Sequence, residues 1–331
     1  MVSKRHATDP SRDGQPIDRT GVINFEHARG SARKPMDALT VDFLPDNLRR
    51  PILMVAWTGW NDAAESATTA VRYVGNAFGA RKFASIDPEE FYHFGLTRPM
   101  ARYKDGSETE REIVWPAMEF SIAQSRDLTR DIIVGVAPEP HLKWRTYCSL
   151  LLDVARRTNV TLVMTLGALL AEVPHTRAVK LSGSASDPEI AQWLGLRRSR
   201  YEGPTGIVGV FHTTARDAGF SVASLWANVP HYISGIENPK ASLALVRRLL
   251  SLIGGSPDLS DLEEASKQFD SNLAEVVGQN KKIANYVAKL EASDVEEEPA
   301  ASAGSDLPPA SELLSEIEQF LRQQRPRGST D

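Results

Sequence analysis

The first residues that could do chemistry lie in a short turn between an apolar run and an Ala-rich segment. The apolar run covers residues 52–57, and the segment after the turn has apolar residues at helical spacing. Backbone N–H groups at a helix start can hold an anion, and Asp62 could serve as a polar contact or an acid. Asp62 and Glu65 also have the spacing of a capping box, which needs no ligand. The candidate residues of this turn are Gly59, Trp60, Asn61 and Asp62.

A second candidate site follows the apolar run at residues 131–137. Glu139 and His141 stand two residues apart there, and such a pair could act as acid and base near neutral pH. The alternative is that the prolines on both sides of Glu139 stiffen a loop and that His141 begins the next helix. The sequence leaves both interpretations open.

Four further candidates follow other apolar runs. Glu172 comes after residues 160–166, where a carboxylate could contact a ligand or simply pair with a neighbour. His212, Trp226 and His231 could line a pocket with an aromatic wall and polar tips. Trp226 could equally be an anchor of the core or of an interface.

No motif assigns a catalytic residue, a metal site or a cofactor. The chain has no Walker-type phosphate loop, no Gly-x-Gly-x-x-Gly after a strand and no Gly-x-Ser-x-Gly turn. Its seven histidines are scattered without the spacing of metal ligands. The single cysteine, Cys148, excludes an internal disulfide and fits the reducing cytoplasm.

Charge and hydropathy limit the partners. The formal charge of the 331 residues is -5, and the stretch 291–318 holds nine acidic residues without a Lys or Arg. The remainder is too weakly basic to predict nucleic-acid binding. Apolar runs fall short of the roughly 20 residues that span a bilayer, so no membrane segment is expected.

The elements that must position these residues alternate between strands and helices. Helices are predicted at residues 63–78 and 141–157, after Asp187-Pro188, and from Asn238-Pro239 to Gly254, where Pro at the first position and Gly past the end mark the helix limits. Such alternation predicts an α/β fold of three layers, α/β/α, around a mostly parallel sheet. The predicted strands are residues 52–57, 81–86, 131–137, 160–166, 178–181, 206–211 and 221–227.

Composition divides the chain into five parts. Residues 1–45 have the composition of a flexible arm, and the α/β core is predicted from 46 to 255. Apolar residues at steps of three, four and seven predict a helical subdomain at 256–291, either one long helix or a pair hinged near Gly278. An acidic linker at 292–310 leads to an amphipathic tail at 311–331, which we expect to dock on something because so short a helix is marginal alone.

Several runs resemble the family named for the second proteasome assembly chaperone. They are Gly-Trp-Asn-Asp-Ala-Ala at 59–64, Tyr-Glu-Gly-Pro-Thr-Gly-Ile-Val-Gly-Val at 201–210 and Ser-Leu-Trp-Ala-Asn-Val-Pro-His-Tyr at 224–232. The last two, with the tail at 316–322, are similar to its actinobacterial branch, and the resemblance covers about residues 45–290. It implies a core like that of purine nucleoside phosphorylases, a small helical C-terminal domain and a link to proteasome assembly.

Three functional hypotheses follow. The first is a cytoplasmic, non-enzymatic binding or assembly protein that forms a homo-oligomer and has a proteasome-related or other protein partner. The second is an enzyme or sensor for a nucleoside-like or other small polar ligand, with Trp60 and Trp226 as pocket walls. In the third, the tail folds back over the protein's own pocket.

Overall fold

The computed structural model describes residues 38–293 apart from 106, 108, 197–201 and 234. The strands in this part of the chain are β1 (Leu39–Val41), β2 (Ile52–Thr58), β3 (Arg81–Ile86), β4 (Met100–Tyr103), β5 (Arg111–Val114), β6 (Met118–Ala123), β7 (Ile132–Pro138), β8 (Leu162–Ala171), β9 (Leu181–Ala185) and β10 (Val222–Pro230). The α-helices are α1 (Ser66–Ala77), α2 (Trp144–Arg157), α3 (Pro188–Trp193), α4 (Ile207–Asp217), α5 (Pro239–Ile253), α6 (Ser260–Gln279) and α7 (Lys281–Ser293).

Eight strands form one sheet in the order β1-β3-β6-β7-β2-β8-β10-β9. The central strands β7, β2, β8 and β10 are parallel to one another, while β6 and β9 flank them in the antiparallel sense. β3 is antiparallel to β6 and so runs in the direction of β7. We call the end of the sheet where β2, β3, β7, β8 and β10 finish the carboxyl edge.

Helices cover both faces of this sheet, which confirms the predicted α/β fold. Alternate residues of β2 enter two separate cores because the side chains of a strand point to opposite faces. Leu53, Val55 and Trp57 pack with α2 and α4 on one face. Ile52, Met54 and Ala56 pack with α1 and α5 on the other. The sequence of a strand that is buried on both faces is a continuous apolar run, and the sequence of β2 has this form.

The helices α6 and α7 share a separate small core. Phe269 and Leu273 of α6 and Ile283 and Val287 of α7 pack there against Tyr232, which follows β10. Polar contacts fasten α6 to the rest of the molecule, because the Tyr73 hydroxyl donates to Asp261 at 2.6 Å and the Lys240 ammonium lies 3.0 Å from Asp270. The pair is separated at Asn280, close to the predicted hinge.

The predicted strand at residues 206–211 is wrong, because these residues begin the helix α4. Ile207, Val208, Phe211 and Ala215 are buried along one face of that helix. The last three lie one, four and eight residues after Ile207, which is the spacing of one helix face. The apolar run is too short for this helical period to be distinguished from a strand in the sequence. A strand is expected at 178–181, and the nearest strand, β9, begins only at Leu181.

A long insertion separates two strands that pair directly. Ile86 at the end of β3 lies opposite Met118 at the start of β6, yet residues 87–117 intervene where a turn of about two to five residues would suffice. The insertion contains the two-stranded hairpin β4–β5, in which Met100 pairs with Val114. We call residues 87–117 the hairpin insertion.

Candidate functional site

The turn after β2 lies at the carboxyl edge and has an unusual backbone. Gly59 has φ 108°, a conformation that favours glycine. Ala64 and Glu65 are both left-handed, with φ 55° and 51°, and each such non-glycine residue carries a conformational cost of about 1–3 kcal/mol. A short 3₁₀ turn at Ala63–Glu65 results, and α1 starts only at Ser66.

Asp62 caps α1 across this turn. Its Oδ1 accepts from the backbone N–H of Ala67 at 2.6 Å, and its Oδ2 accepts from the N–H and hydroxyl of Thr68 at 3.0 and 2.5 Å. Burial raises the pKa of the Asp62 carboxyl, while the bonds from Thr68 and Ala67 oppose that shift. Of the predicted capping box only this half forms, since the N–H of Asp62 donates to the Gly59 carbonyl at 3.1 Å.

Glu139 caps the start of a second helix. Its Oε1 accepts from the backbone N–H of Ile207 at 2.8 Å and from the side-chain amide of Asn61 at 2.7 Å. One carboxylate therefore joins the end of β7, the turn after β2 and the first residue of α4. Negative charge at this position is favourable because unpaired N–H groups make the helix N-terminus electropositive.

Gly206 permits the close approach of these groups. A Cβ at this position would lie 2.1 Å from Oδ1 of Asn61 and 2.7 Å from Oε1 of Glu139, so a side chain does not fit. Asn61 is almost fully buried, and its Oδ1 has no hydrogen-bond donor among the described residues. Gly59, Asn61, Asp62, Glu139 and the start of α4 thus form one polar cluster.

Trp60 and His141 lie at the margin of the cluster. Trp60 is 66% exposed. His141 is exposed, and its Nδ1 accepts from the backbone N–H of His93 at 3.1 Å. Glu139 and His141 therefore have different hydrogen-bond partners.

Two further candidates lie beside the helical pair. His231 is placed between the end of β8 and α7, with Nδ1 3.2 Å from the Ala171 carbonyl and Nε2 3.1 Å from the Tyr286 hydroxyl. The exposed Glu172 contributes, after burial, to the raised pKa of Tyr286. Both residues are at the carboxyl edge, and the hydrogen bonds of His231 connect this edge to α7.

The last two candidates belong to helix and sheet packing. His212 lies within α4, where its Nδ1 is buried and lacks a partner among the described residues, and burial lowers its pKa. Trp226 lies opposite Gly167 in the sheet, and a Cβ on that glycine would be 2.5 Å from the indole ring. Its Nε1 donates to Ser224 at 2.8 Å.

The start of α4 is the residue set that the sequence analysis missed. The signals were present, because Thr205-Gly206 precedes apolar residues of helical spacing and Gly219 follows the helix. In the structure, the carboxylate of Glu139 occupies the place at this N-terminus where an anionic ligand would bind.

The described residues give two further negative results. In this part of the chain, no group of three or more His, Cys, Asp and Glu residues is placed to hold a metal ion. None of its helices combines the length and the apolar character needed to cross a membrane.

Exposed apolar side chains are concentrated at the carboxyl edge and on the hairpin insertion. Of the twelve large hydrophobic residues exposed in the described chain, nine lie at the carboxyl edge or on the hairpin insertion that starts and ends there. We call these nine residues the apolar rim. They are Trp60, Leu96, Met100, Tyr103, Ile113, Val114, Trp115, Leu142 and Leu170.

The fold and this edge define the class as a three-layer α/β/α protein with a helical C-terminal pair and an exposed apolar rim. The model of the PAC2 family matches residues 56–277. The chain therefore belongs to the PAC2 family, as the runs at 59–64 and 224–232 indicated. No protein with a curated description matches it.

Solved structures support this assignment. A PAC2 family protein of Streptomyces avermitilis is 39% identical, with 72% of this chain and 99% of that one covered and a TM-score of 0.66. The proteasome-assembly chaperone homologue Rv2125 of Mycobacterium tuberculosis is also 39% identical, with 71% and 99% covered and a TM-score of 0.64. PbaB, an archaeal proteasome activator of Pyrococcus furiosus, shares the fold at 16% identity, with 72% and 97% covered and a TM-score of 0.59.

Proposed function

We propose that this chain is a non-enzymatic, chaperone-like binding protein that holds a protein partner on its hairpin insertion. The observation that carries the proposal is the concentration of exposed apolar residues there. Six of the nine rim residues lie on this one segment, and apolar surface grouped in this way marks interaction sites.

The two faces of the hairpin differ in character. On one face, Ala101 lies opposite Ile113 and Tyr103 lies opposite Arg111. The guanidinium of Arg111 lies over the Tyr103 ring, 4.8 Å from the ring centroid. Trp115 directly follows β5. Its ring packs edge-on against Phe94, with 4.9 Å between the two ring centroids. An apolar, aromatic face with an arginine at its border has the composition of a protein-interface core.

The opposite face carries two ion pairs beside an apolar end. Arg102 pairs with Glu112, and Lys104 pairs with Glu110. Met100 and Val114 lie opposite each other at the base of the hairpin and are both exposed. Since a two-stranded hairpin alone is marginally stable in water, a partner covering the aromatic face would also stabilise the insertion.

The relatives suggest the class of partner. One 39% identical protein is described as a proteasome-assembly chaperone homologue, and on that basis we propose a proteasome-related partner for this chain. We further propose that the protein is cytoplasmic and homo-oligomeric. The enzyme alternative loses support because the polar groups of the cluster already serve as helix caps.

Binding to purified proteasome subunits from the same organism tests this function. The unmodified protein should retain a stoichiometric amount of subunit on an affinity column, and Ile113→Asp should weaken the affinity by about tenfold or more, as loss of an interface anchor does. Trp193→Asp is the matched control, since Trp193 is 55% exposed on α3 and outside the rim. Absence of binding to any subunit, or equal losses in both variants, would reject the proposal.

A further inference from the structure

A small cavity lies where the segment after β8 meets the start of α5 and one residue of α6. Residues of the segment 173–180 form one part of its lining, and Asn238, Lys240 and Phe269 form another. The cavity is open to solvent. Because its volume is small, it can hold one polar group of a ligand rather than a whole ligand.

Three cationic side chains line this cavity. They are Arg177, Lys180 and Lys240, and none of the described lining residues is acidic. Arg177 is exposed, and its guanidinium has neither a hydrogen bond nor an ion pair with any described residue. The Lys240 ammonium donates to the His175 carbonyl at 2.6 Å and lies 3.0 Å from the carboxylate of Asp270. The charge of Lys240 is therefore partly balanced, while that of Arg177 is not.

Asn238 provides an unused hydrogen-bond donor at the same place. Its Oδ1 accepts from the backbone N–H of Ala241 at 2.9 Å and so caps α5. The other end of the side-chain amide, Nδ2, has no acceptor among the described residues. Only 3% of Asn238 is exposed, and a buried donor without an acceptor is unfavourable. A ligand in the cavity could supply the missing acceptor.

The start of α5 also differs from that of α4 in its charge. A helix N-terminus is electropositive because its first N–H groups are unpaired. At α4 the carboxylate of Glu139 supplies the opposite charge. At α5 the cap is the neutral Asn238, and the lining adds cations rather than a carboxylate. The field at this helix start therefore favours an anion from outside the described chain.

We propose that this cavity binds a phosphoryl group, either as inorganic phosphate or as the end of a phosphate monoester. The Asn238 amide and the side chains of Arg177 and Lys240 donate to its oxygens. Helix N-termini, Arg and Lys are the groups that hold phosphate in proteins. A phosphoryl group suits these donors better than a carboxylate, because its three or more oxygens can accept from several directions at once.

The site is independent of the proposed function. Its described lining shares no residue with the hairpin insertion or with the apolar rim. It concerns a small anionic ligand, whereas the proposed function concerns a protein partner.

Calorimetric titration of the full-length protein with inorganic phosphate, methyl phosphate and acetate tests the site. At constant ionic strength, inorganic phosphate should bind saturably and at least about tenfold more tightly than acetate. Methyl phosphate with equal affinity would show that the site accepts a monoester, and weaker binding would assign it to the free anion. Acetate binding as tightly as phosphate, or no saturable binding of either phosphate probe, would overturn the proposal.

Two variants assign the binding to this cavity. Asn238→Asp keeps an oxygen that can cap α5 but replaces the free donor by an anionic oxygen. Arg177→Gln removes the unpaired cation at the surface. Each should weaken phosphate binding about tenfold or more.

Arg72→Gln is the matched control, because Arg72 is an exposed arginine of α1 outside the lining. It should bind phosphate as tightly as the unmodified protein. Thermal unfolding without phosphate checks that each variant is folded, and Arg177→Gln alone decides if Asn238→Asp is not. Equal affinities in Arg177→Gln and Arg72→Gln would overturn the assignment to this cavity.

Discussion

Oε1 of Glu139 lies 2.8 Å from the backbone nitrogen of Ile207, a residue 68 positions later in the chain. This hydrogen bond joins the end of a parallel strand to the start of a helix on one face of the sheet. The same oxygen also accepts from Asn61, so three segments of the carboxyl edge depend on one carboxylate.

Glu139→Ala should lower the free energy of unfolding by about 1–3 kcal/mol, because it leaves the Ile207 N–H and the Asn61 amide without their acceptor. Glu139→Gln should cost less, since its side-chain oxygen can still accept. Urea denaturation measures both. The control is Glu119→Ala, which removes a carboxylate from an exposed pair with Lys82 and should change stability by no more than about 0.5 kcal/mol. Equal effects at 139 and 119 would contradict the capping role.

Gly206→Ala should destabilise the protein by about 1–3 kcal/mol, because the new Cβ meets Asn61 and Glu139 at distances where they must move. Thermal unfolding measures the effect. Gly278→Ala in α6 is the matched control, since no atom lies within 4 Å of its Cβ. Alanine there should be neutral or stabilising by up to about 1 kcal/mol, as it is the better helix former. A Gly206→Ala protein as stable as the control would argue against the close approach.

Asp62→Ala should cost more than a typical helix cap because three hydrogen bonds from Ala67 and Thr68 lose their acceptor inside the protein. We expect about 2–3 kcal/mol. Asp187 is only partly buried, and its side chain accepts from the N–H groups of Glu189 and Ile190 at the start of α3. Asp187→Ala should cost about 1 kcal/mol. Chemical denaturation of both variants gives the comparison, and a smaller loss at Asp62 than at Asp187 would refute it.

Acidification should weaken the attachment of the helical pair through His175. This residue is buried, its Nδ1 is 2.8 Å from the Tyr232 hydroxyl, and burial, with a smaller effect of Lys240, lowers its pKa below 6.5. Asp270 and Glu291 also face it and partly oppose the shift. Its neutral form is favoured in the folded state, so its contribution is complete above pH 6.5.

That contribution is lost as the pH falls below 6.5, because the unfolded chain then binds the proton more readily. His175→Gln should therefore lose less stability than the unmodified protein between about pH 7.5 and about pH 5.5. Urea denaturation across this range is the measurement. A pH profile left unchanged by His175→Gln would exclude this residue as a source of the acid-induced loss of stability. His212, whose pKa burial also lowers, should contribute in the same direction.

Local signals determined a large part of the fold. The helices α3 and α5 begin where Asp or Asn precedes Pro, and the side chains of Asp187 and Asn238 cap them as the sequence predicts. β2 and β3 follow their apolar runs. These elements depend on neighbours in sequence, so their residues are sufficient to predict them.

The sequence also determined the family, through the runs at 59–64 and 224–232, and it selected Asn61, Asp62 and Glu139 as residues of interest. It did not determine that Glu139 caps α4, because that bond requires the start of α4 to lie beside the end of β7. Nor did it determine the hairpin insertion, whose strands β4 and β5 are almost entirely exposed and lack the alternation of a half-buried strand. Only the order of strands in the sheet brings these segments to one edge, and that order is fixed by packing between residues far apart in the chain rather than by local periodicity.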